Sequence, residues 1–237
     1  MMSMKLLRRC HYELMTLMVI AGSSTLLFWF TDLDQWAAGL FFHPDVTGDN
    51  WPEQHWWLWQ SLYDYAFPFT IIAGVMALLV YLASHMHDDI RSFRRQALYI
   101  LLVIALGPGV LVNLVAKDHW GRPRPVHTQA FGGKYVYVPP LKIGHTADKS
   151  FVCGHCSVGY AFFALYFLAQ NYKLVYFLMT LGFAWTMGFT RMTAGGHYLS
   201  DILWSGYLVF LVAYAIYYGW YRRYIPIKAT PGTTNTP

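Results

Sequence analysis

Six apolar segments dominate the chain, near Tyr12–Phe30, Leu58–Ser84, Ala97–Ala116, Cys156–Gln170, Leu174–Phe189 and Asp201–Tyr221. A helix needs roughly 20 apolar residues to cross a bilayer, and in hydrocarbon its backbone groups must bond within the helix itself. The predicted fold is therefore all-α: an integral membrane bundle of six transmembrane helices. The fourth and fifth segments are the short ones. Pro68 and Pro108 fall inside the second and third, where neighbours must satisfy the backbone groups they free. Only 12% of the 237 residues are charged, about half the share of a soluble domain, and such apolarity excludes a disordered chain. Residues 1–237 read as a single membrane domain, with a Pro/Thr-rich tail of about 225–237 expected to be disordered.

Basic residues orient the spans. Lys5, Arg8 and Arg9 precede the first, and Arg91, Arg94 and Arg95 lie between the second and third. Lys173 lies between the fourth and fifth, and Arg222, Arg223 and Lys228 come after the sixth. The positive-inside rule then places both termini in the cytoplasm. The first span has a core too long for a signal peptide and no small-x-small cleavage site, so it is read as a retained anchor. The loop from Asp32 to Trp57 has no Lys or Arg and carries Trp36, Trp51, Trp56 and Trp57. An amphipathic interfacial piece and simple aromatic anchoring both fit it.

Seven of the 17 basic residues fall on the outer side: Lys117, Arg122, Arg124, Lys134, Lys142, Lys149 and Arg191. Snorkelling to lipid phosphates accounts for Lys134, Lys142 and Lys149 taken singly. The others gather at span ends, beside Val152-Cys153-Gly154-His155 and beside Thr190-Arg191, His197 and Asp201. His197 and Asp201 are four residues apart and share one face if a helix covers both. The carboxylate then holds one ring nitrogen and leaves the other as nucleophile or base; a purely structural bond at a helix start has the same pattern. His155 enters the fourth span behind Gly154, at a helix N-terminus that favours phosphate. Arginine forks match phosphate oxygens, and lysine adds a point charge. Cations, two histidines and one carboxylate at one face suit phosphoryl transfer through a phosphohistidine.

The spacing Lys117, six residues, Arg124-Pro125, then Cys153-Gly154-His155, then Thr190-Arg191, five residues, His197, three residues, Asp201 resembles the three motifs of the type-2 phosphatidic acid phosphatase superfamily. Trp120-Gly121-Arg122-Pro123-Arg124-Pro125 and the loop after it look most like the bacterial lipid A phosphatases. The resemblance implies His197 as nucleophile, Asp201 orienting it, and a protonated His155 as acid to the leaving oxygen. It implies phosphate binding by Lys117, Arg124, Arg191, Cys153 and Gly154. No metal and no cofactor are implied. Arg122, Lys134, Lys142 and Lys149 are candidate headgroup contacts. The implied partner is a phosphorylated membrane lipid, with no nucleic acid and no protein partner. The implied location is the bacterial inner membrane, with the site facing the periplasm. Val152 and Cys153 depart from the usual Pro and Ser, and a thiol is a weak donor.

Rival substrates within the superfamily are undecaprenyl diphosphate, phosphatidylglycerophosphate and phosphatidic acid, and phosphotransfer to a second lipid is a rival reaction. Cys153-Gly154-His155-Cys156 also reads as C-x-x-C, which raises a membrane thiol oxidoreductase, but the soluble βαβ setting of thioredoxin-like sites is absent. A disulfide there that switches a phosphatase off is a separate reading.

Overall fold

The computed structural model describes residues 4–224; the expected disordered tail at 225–237 lies outside the described residues. Helices and short turns make up the architecture, and the Thr128–Tyr135 bridge is the only β pairing among the described residues. In chain order the helices are α1 (Met4–Phe30), α2 (Leu33–Gly39), α3 (Trp57–Ala83), α4 (Arg94–Ile104), α5 (Lys117–His119), α6 (Gly154–Tyr160), α7 (Phe163–Leu168), α8 (Lys173–Met192) and α9 (Leu199–Gly219). Between α4 and α5 the helix runs on as a π-helix, Ala105–Ala116.

Among the described residues, four helical stretches are long and apolar enough to cross a bilayer: Arg8–Phe30, Trp57–Ala83, Asp88–His119 and Leu199–Arg223. The fifth expected segment is the 20-residue α8. The fourth is broken into α6 and α7, an apolar piece too short to cross as one straight helix.

Burial separates the helices into a core and a lipid-facing rim. Every residue of α6 is buried, and α9 buries ten of its residues, Ile202, Val209 and Ala213 fully. By contrast α3 exposes Ile71, Ile72, Val75, Met76 and Leu79 and buries only Ala66 and Ala77. An apolar helix that hides so little of itself in protein is solvated by lipid. Helix association in lipid relies on close packing at small residues. At the α6–α8 crossing Gly159 faces Ala184 so closely that a Cβ would lie 2.5 Å from the Ala184 Cα.

The π segment is explained by Pro108, which has no N–H for the ladder. The Asn113 side chain returns a bond to the Pro108 carbonyl at 2.7 Å. A widened stretch changes the register of every residue beyond it, and the first of these is Lys117.

The two ends of the bundle differ. At one end Glu13 of α1 accepts from Arg9 at 3.0 Å, from Tyr166 of α7 at 2.9 Å and from Tyr218 of α9 at 2.8 Å. At the other end, residues 120–153 fold over the starts of α6 and α9. The Asp32–Trp57 loop covers that segment through a ring cluster of Phe42, Trp51 and Phe131 with centroids 5.2–5.5 Å apart. So this loop is a structural cap as well as an aromatic surface: Trp51 is buried, while Trp36, Trp56 and Trp57 stay exposed.

Gly159→Val places a branched side chain against the α8 backbone. The expected cost is about 1–3 kcal/mol, seen as a lower melting temperature of the purified protein in detergent, whereas Gly22→Ala, with open space around its Cβ, should leave it unchanged.

Candidate active site

Asp201 is the third residue of α9, where the first backbone N–H groups have no helical partner. Its Oδ2 accepts from the Tyr198 N–H at 2.9 Å and from the Ser150 hydroxyl at 2.7 Å. Its Oδ1 accepts from Arg122 Nη1. With both oxygens engaged, Asp201 still stands within ion-pair distance of His197. His197 Nδ1 bonds the Ser150 carbonyl at 2.6 Å, and the Asp201 carboxylate stands 3.6 Å from the same nitrogen. The Ser150 carbonyl is the closer of the two contacts to Nδ1. A carbonyl only accepts, so Nδ1 carries the proton and Nε2 keeps its lone pair. Ser150 therefore links the two: its carbonyl sets the His197 tautomer and its hydroxyl binds Asp201.

Arg122 overturns one expectation. It is fully buried and reaches no headgroup. Besides Asp201 it donates to Asp34 Oδ2 at 2.8 Å, to Ser200 Oγ at 2.8 Å and to the Val138 carbonyl at 2.7 Å. Its guanidinium lies over the Tyr198 ring, 4.6 Å from the centroid. Two carboxylates beside it raise its pKa despite burial. Asp34 also accepts from the Ser200 N–H at 2.8 Å and from Tyr137 at 2.9 Å, so α2 is bolted to the start of α9.

The phosphate-side cations converge on the two histidines. Lys117 lies against the Gly154 backbone, where an added Cβ would meet its Nζ at 3.4 Å and Asn113 Oδ1 at 2.5 Å. Gly154 is thus needed for close approach. Arg191 stands over the Tyr63 ring at 4.6 Å, and the other partner of that ring is His155, stacked at 4.4 Å. Phe67 closes on His155 edge-on at 4.7 Å. The Nε atoms of Arg124 and Arg191 are buried with no partner inside the protein. Orphaned buried donors beside cations ask for an anion.

Burial pushes His155 down to about 3, with Arg191, His197, Lys117 and Arg124 adding repulsion. Burial also lowers His197 to about 4, against the opposing pull of Asp201. Both histidines are therefore neutral near pH 7 in the free protein, and the expected protonated His155 requires a bound anion to restore it.

Other expected contacts sit elsewhere. The Cys153 sulfur is buried, caps α6 by accepting from the Cys156 N–H at 3.2 Å and is joined to Cys156 in a disulfide. It offers no donor to a phosphate. Lys149 pairs with Asp118 at 2.6 Å, and Lys134 lies over Tyr135 at 4.9 Å. Lys142 is exposed on the loop. No group of three or more His, Cys, Asp or Glu side chains among the described residues is placed to hold a metal.

Asp34, Ser150 and Tyr63 were not expected at the site. An acid in a loop without cations was a weak signal for Asp34; Ser150 and Tyr63 carried none.

Residues 96–225, over half of the chain, match the family model of the PAP2 superfamily. The lipid A 4′-phosphatase of Francisella tularensis subsp. novicida is 36% identical over 160 residues, covering 65% of this chain and 72% of that one. The lipid A 4′-phosphatase of Rhizobium leguminosarum is 36% identical over 129 residues, covering 52% and 54%. The lipid A 1-phosphatase of Rhizobium etli is 33% identical over 117 residues, covering 46% and 47%. The chain thus spans about half the length of the two Rhizobium proteins. No solved structure matches it at a significant level.

Removing Arg122 strands two buried carboxylates, a loss of about 3–5 kcal/mol. Arg122→Leu should give little folded protein in a detergent melt, and Arg122→Lys should not restore it, because an ammonium lacks the fork.

Proposed function

The chain belongs to the PAP2 superfamily and is a lipid phosphatase, and we propose that it hydrolyses the 4′- or 1-phosphate of lipid A through a phosphohistidine on His197. The observation that carries the mechanism is the Ser150 carbonyl on His197 Nδ1, which leaves the Nε2 lone pair free to act as nucleophile. The names of the matched relatives support the substrate. The charge asymmetry along the chain supports six spans, cytoplasmic termini and a site at the periplasmic face of the inner membrane.

His197 Nε2 attacks phosphorus while the ester P–O bond breaks. Lys117, Arg124 and Arg191 neutralise the phosphoryl oxygens as charge builds on them. The imidazolium that forms keeps its Nδ1 proton on the Ser150 carbonyl, with the Asp201 charge 3.6 Å away. His155, stacked on Tyr63, delivers a proton to the leaving lipid oxygen. It then takes a proton from the water that attacks the phosphohistidine, releasing inorganic phosphate and returning His197 neutral. The three side-chain cations supply the positive charge that a metal ion would otherwise bring, so phosphate release should survive EDTA.

Protonation is governed by the lowered histidines. His155 is neutral in the free enzyme, so its proton arrives with the substrate: the phosphomonoester monoanion carries one below its second pKa, about 6. As pH rises through that value kcat/KM should fall. As pH drops through about 4 it should fall again, because His197 becomes protonated. A flat profile of kcat/KM against pH would remove this assignment.

The direct test is phosphate release by the purified protein in detergent with EDTA. Lipid A, undecaprenyl diphosphate, phosphatidylglycerophosphate and phosphatidic acid serve as parallel substrates. Lipid A should be preferred, and His197→Ala should abolish turnover while the protein still folds, with a cooperative melt at a lowered temperature because a buried, hydrogen-bonded ring is removed. Preference for another lipid would keep the chemistry and discard lipid A. Near-normal turnover by the variant would discard His197 as nucleophile.

A further inference from the structure

A cavity of about 410 Å³ opens beside Arg191, between the start of α3 and the end of α8. Its size lies within the usual range of small-molecule sites, about 300–1,000 Å³. It shares Tyr63 with the catalytic centre, since the ring that stacks on His155 also lines this cavity. An occupant of the cavity is therefore next to a phosphate held by Arg191.

The lining is unusual for the mouth of a membrane helix. Asp64 lies seven residues inside α3, about 10 Å along the axis, with lipid-exposed residues around it. An acid at that depth is costly and marks a functional site by default. Asp64 has no ion-pair partner among the described residues. Pro68 adds to this: it has no N–H for the carbonyl four residues back, so the Asp64 backbone oxygen loses its helical partner. The indole Nε1 of Trp59 is buried without a hydrogen-bond acceptor. Gln54 is held through its Nε2 by Asp49 at 2.9 Å, which leaves its Oε1 to accept. Gln60 completes a wall of amides and rings.

This set discriminates among headgroup chemistries. Amides and a carboxylate do not favour an acyl chain. An unpaired carboxylate repels a second phosphate. Acceptors at Asp64 and Gln54, a donor at Trp59 and aromatic faces at Trp59 and Tyr63 together match a ring of hydroxyl groups with one apolar face. We propose that this cavity is a sugar subsite, in which Asp64, Trp59 and Gln54 bind hydroxyl groups of the hexosamine bearing the scissile phosphate. The inference rests on the lipid A reading and assigns it a set of specificity-determining residues outside the phosphate-binding cluster.

The test compares two phosphomonoesters on the full-length protein in detergent: lipid A, and undecaprenyl phosphate, which has no sugar. Asp64→Asn keeps size and shape while removing one charge, and Trp59→Phe keeps an aromatic face, on a smaller ring, while removing one donor. Each should lower the ratio of kcat/KM for lipid A over undecaprenyl phosphate about tenfold, mainly through KM, as expected for losing one hydrogen bond to a charged or buried group. A phosphate-free glucosamine disaccharide should also inhibit the wild type competitively on lipid A, a measurement that needs no variant. Variants with an unchanged ratio, or a disaccharide that does not compete, would overturn the subsite while wild-type turnover of lipid A kept the substrate reading. A wild type that hydrolyses undecaprenyl phosphate and not lipid A would overturn both.

Discussion

One guanidinium holds the catalytic end of this protein together. Arg122 places its Nε on the Val138 carbonyl, one nitrogen on Asp201 and Ser200, and the other on Asp34. These contacts tie the segment after α5, helix α2 and the first turn of α9 into one unit. A buried arginine is tolerable only when its donors are satisfied and opposite charge is adjacent, and here two carboxylates meet it. The Ser150 hydroxyl and the Tyr198 N–H also reach Asp201. The tautomer of His197 is set in turn by the Ser150 carbonyl. His197 is thus aimed by a chain of contacts that begins at Arg122 and passes through no flexible side chain exposed to water.

Around Arg122 and its partners the site is poised by burial, with like charges adding to it. Burial holds both imidazoles neutral, and the three nearby cations add repulsion. The arrangement calls for an anion, and in the proposed reaction a phosphate monoester supplies it. Binding then relieves cation repulsion and raises His155 toward the protonated state that leaving-group chemistry needs. In that proposal the same charges serve affinity and turnover, because they neutralise the phosphoryl group most strongly when its charge is redistributed in the transition state.

The membrane gives these features their direction. Lipid solvates most of α3, so its apolar residues need no protein partner, and the polar positions near its start face the site instead. Tyr63 is the hinge of this layout: one face stacks on His155, the guanidinium of Arg191 lies over the ring, and its edge lines the neighbouring cavity.

Spacing and composition alone determined that the chain is helical and membrane-embedded, and where its three motifs lie. Lipid demands long apolar helices, and motifs at helix ends keep their spacing when the helices pack. They also pointed to Lys117, Arg124, His155, Arg191 and His197 as residues at one face, and these converge. They assigned Arg124 to phosphate but did not show that Arg122, two residues away in the same Arg-Pro repeat, is a structural residue and not a headgroup contact. One is entombed between carboxylates and the other presents an unpartnered Nε, and only the path of the backbone decides which. Nor did they show that Asp34 sits at the site, that Ser150 stands between His197 and Asp201, or that Cys153 is tied to Cys156. Those contacts join residues far apart in the chain or depend on angstrom-scale placement within a loop. No local propensity encodes either, because burial and hydrogen-bond satisfaction are settled only when the packed chain has assigned every donor an acceptor.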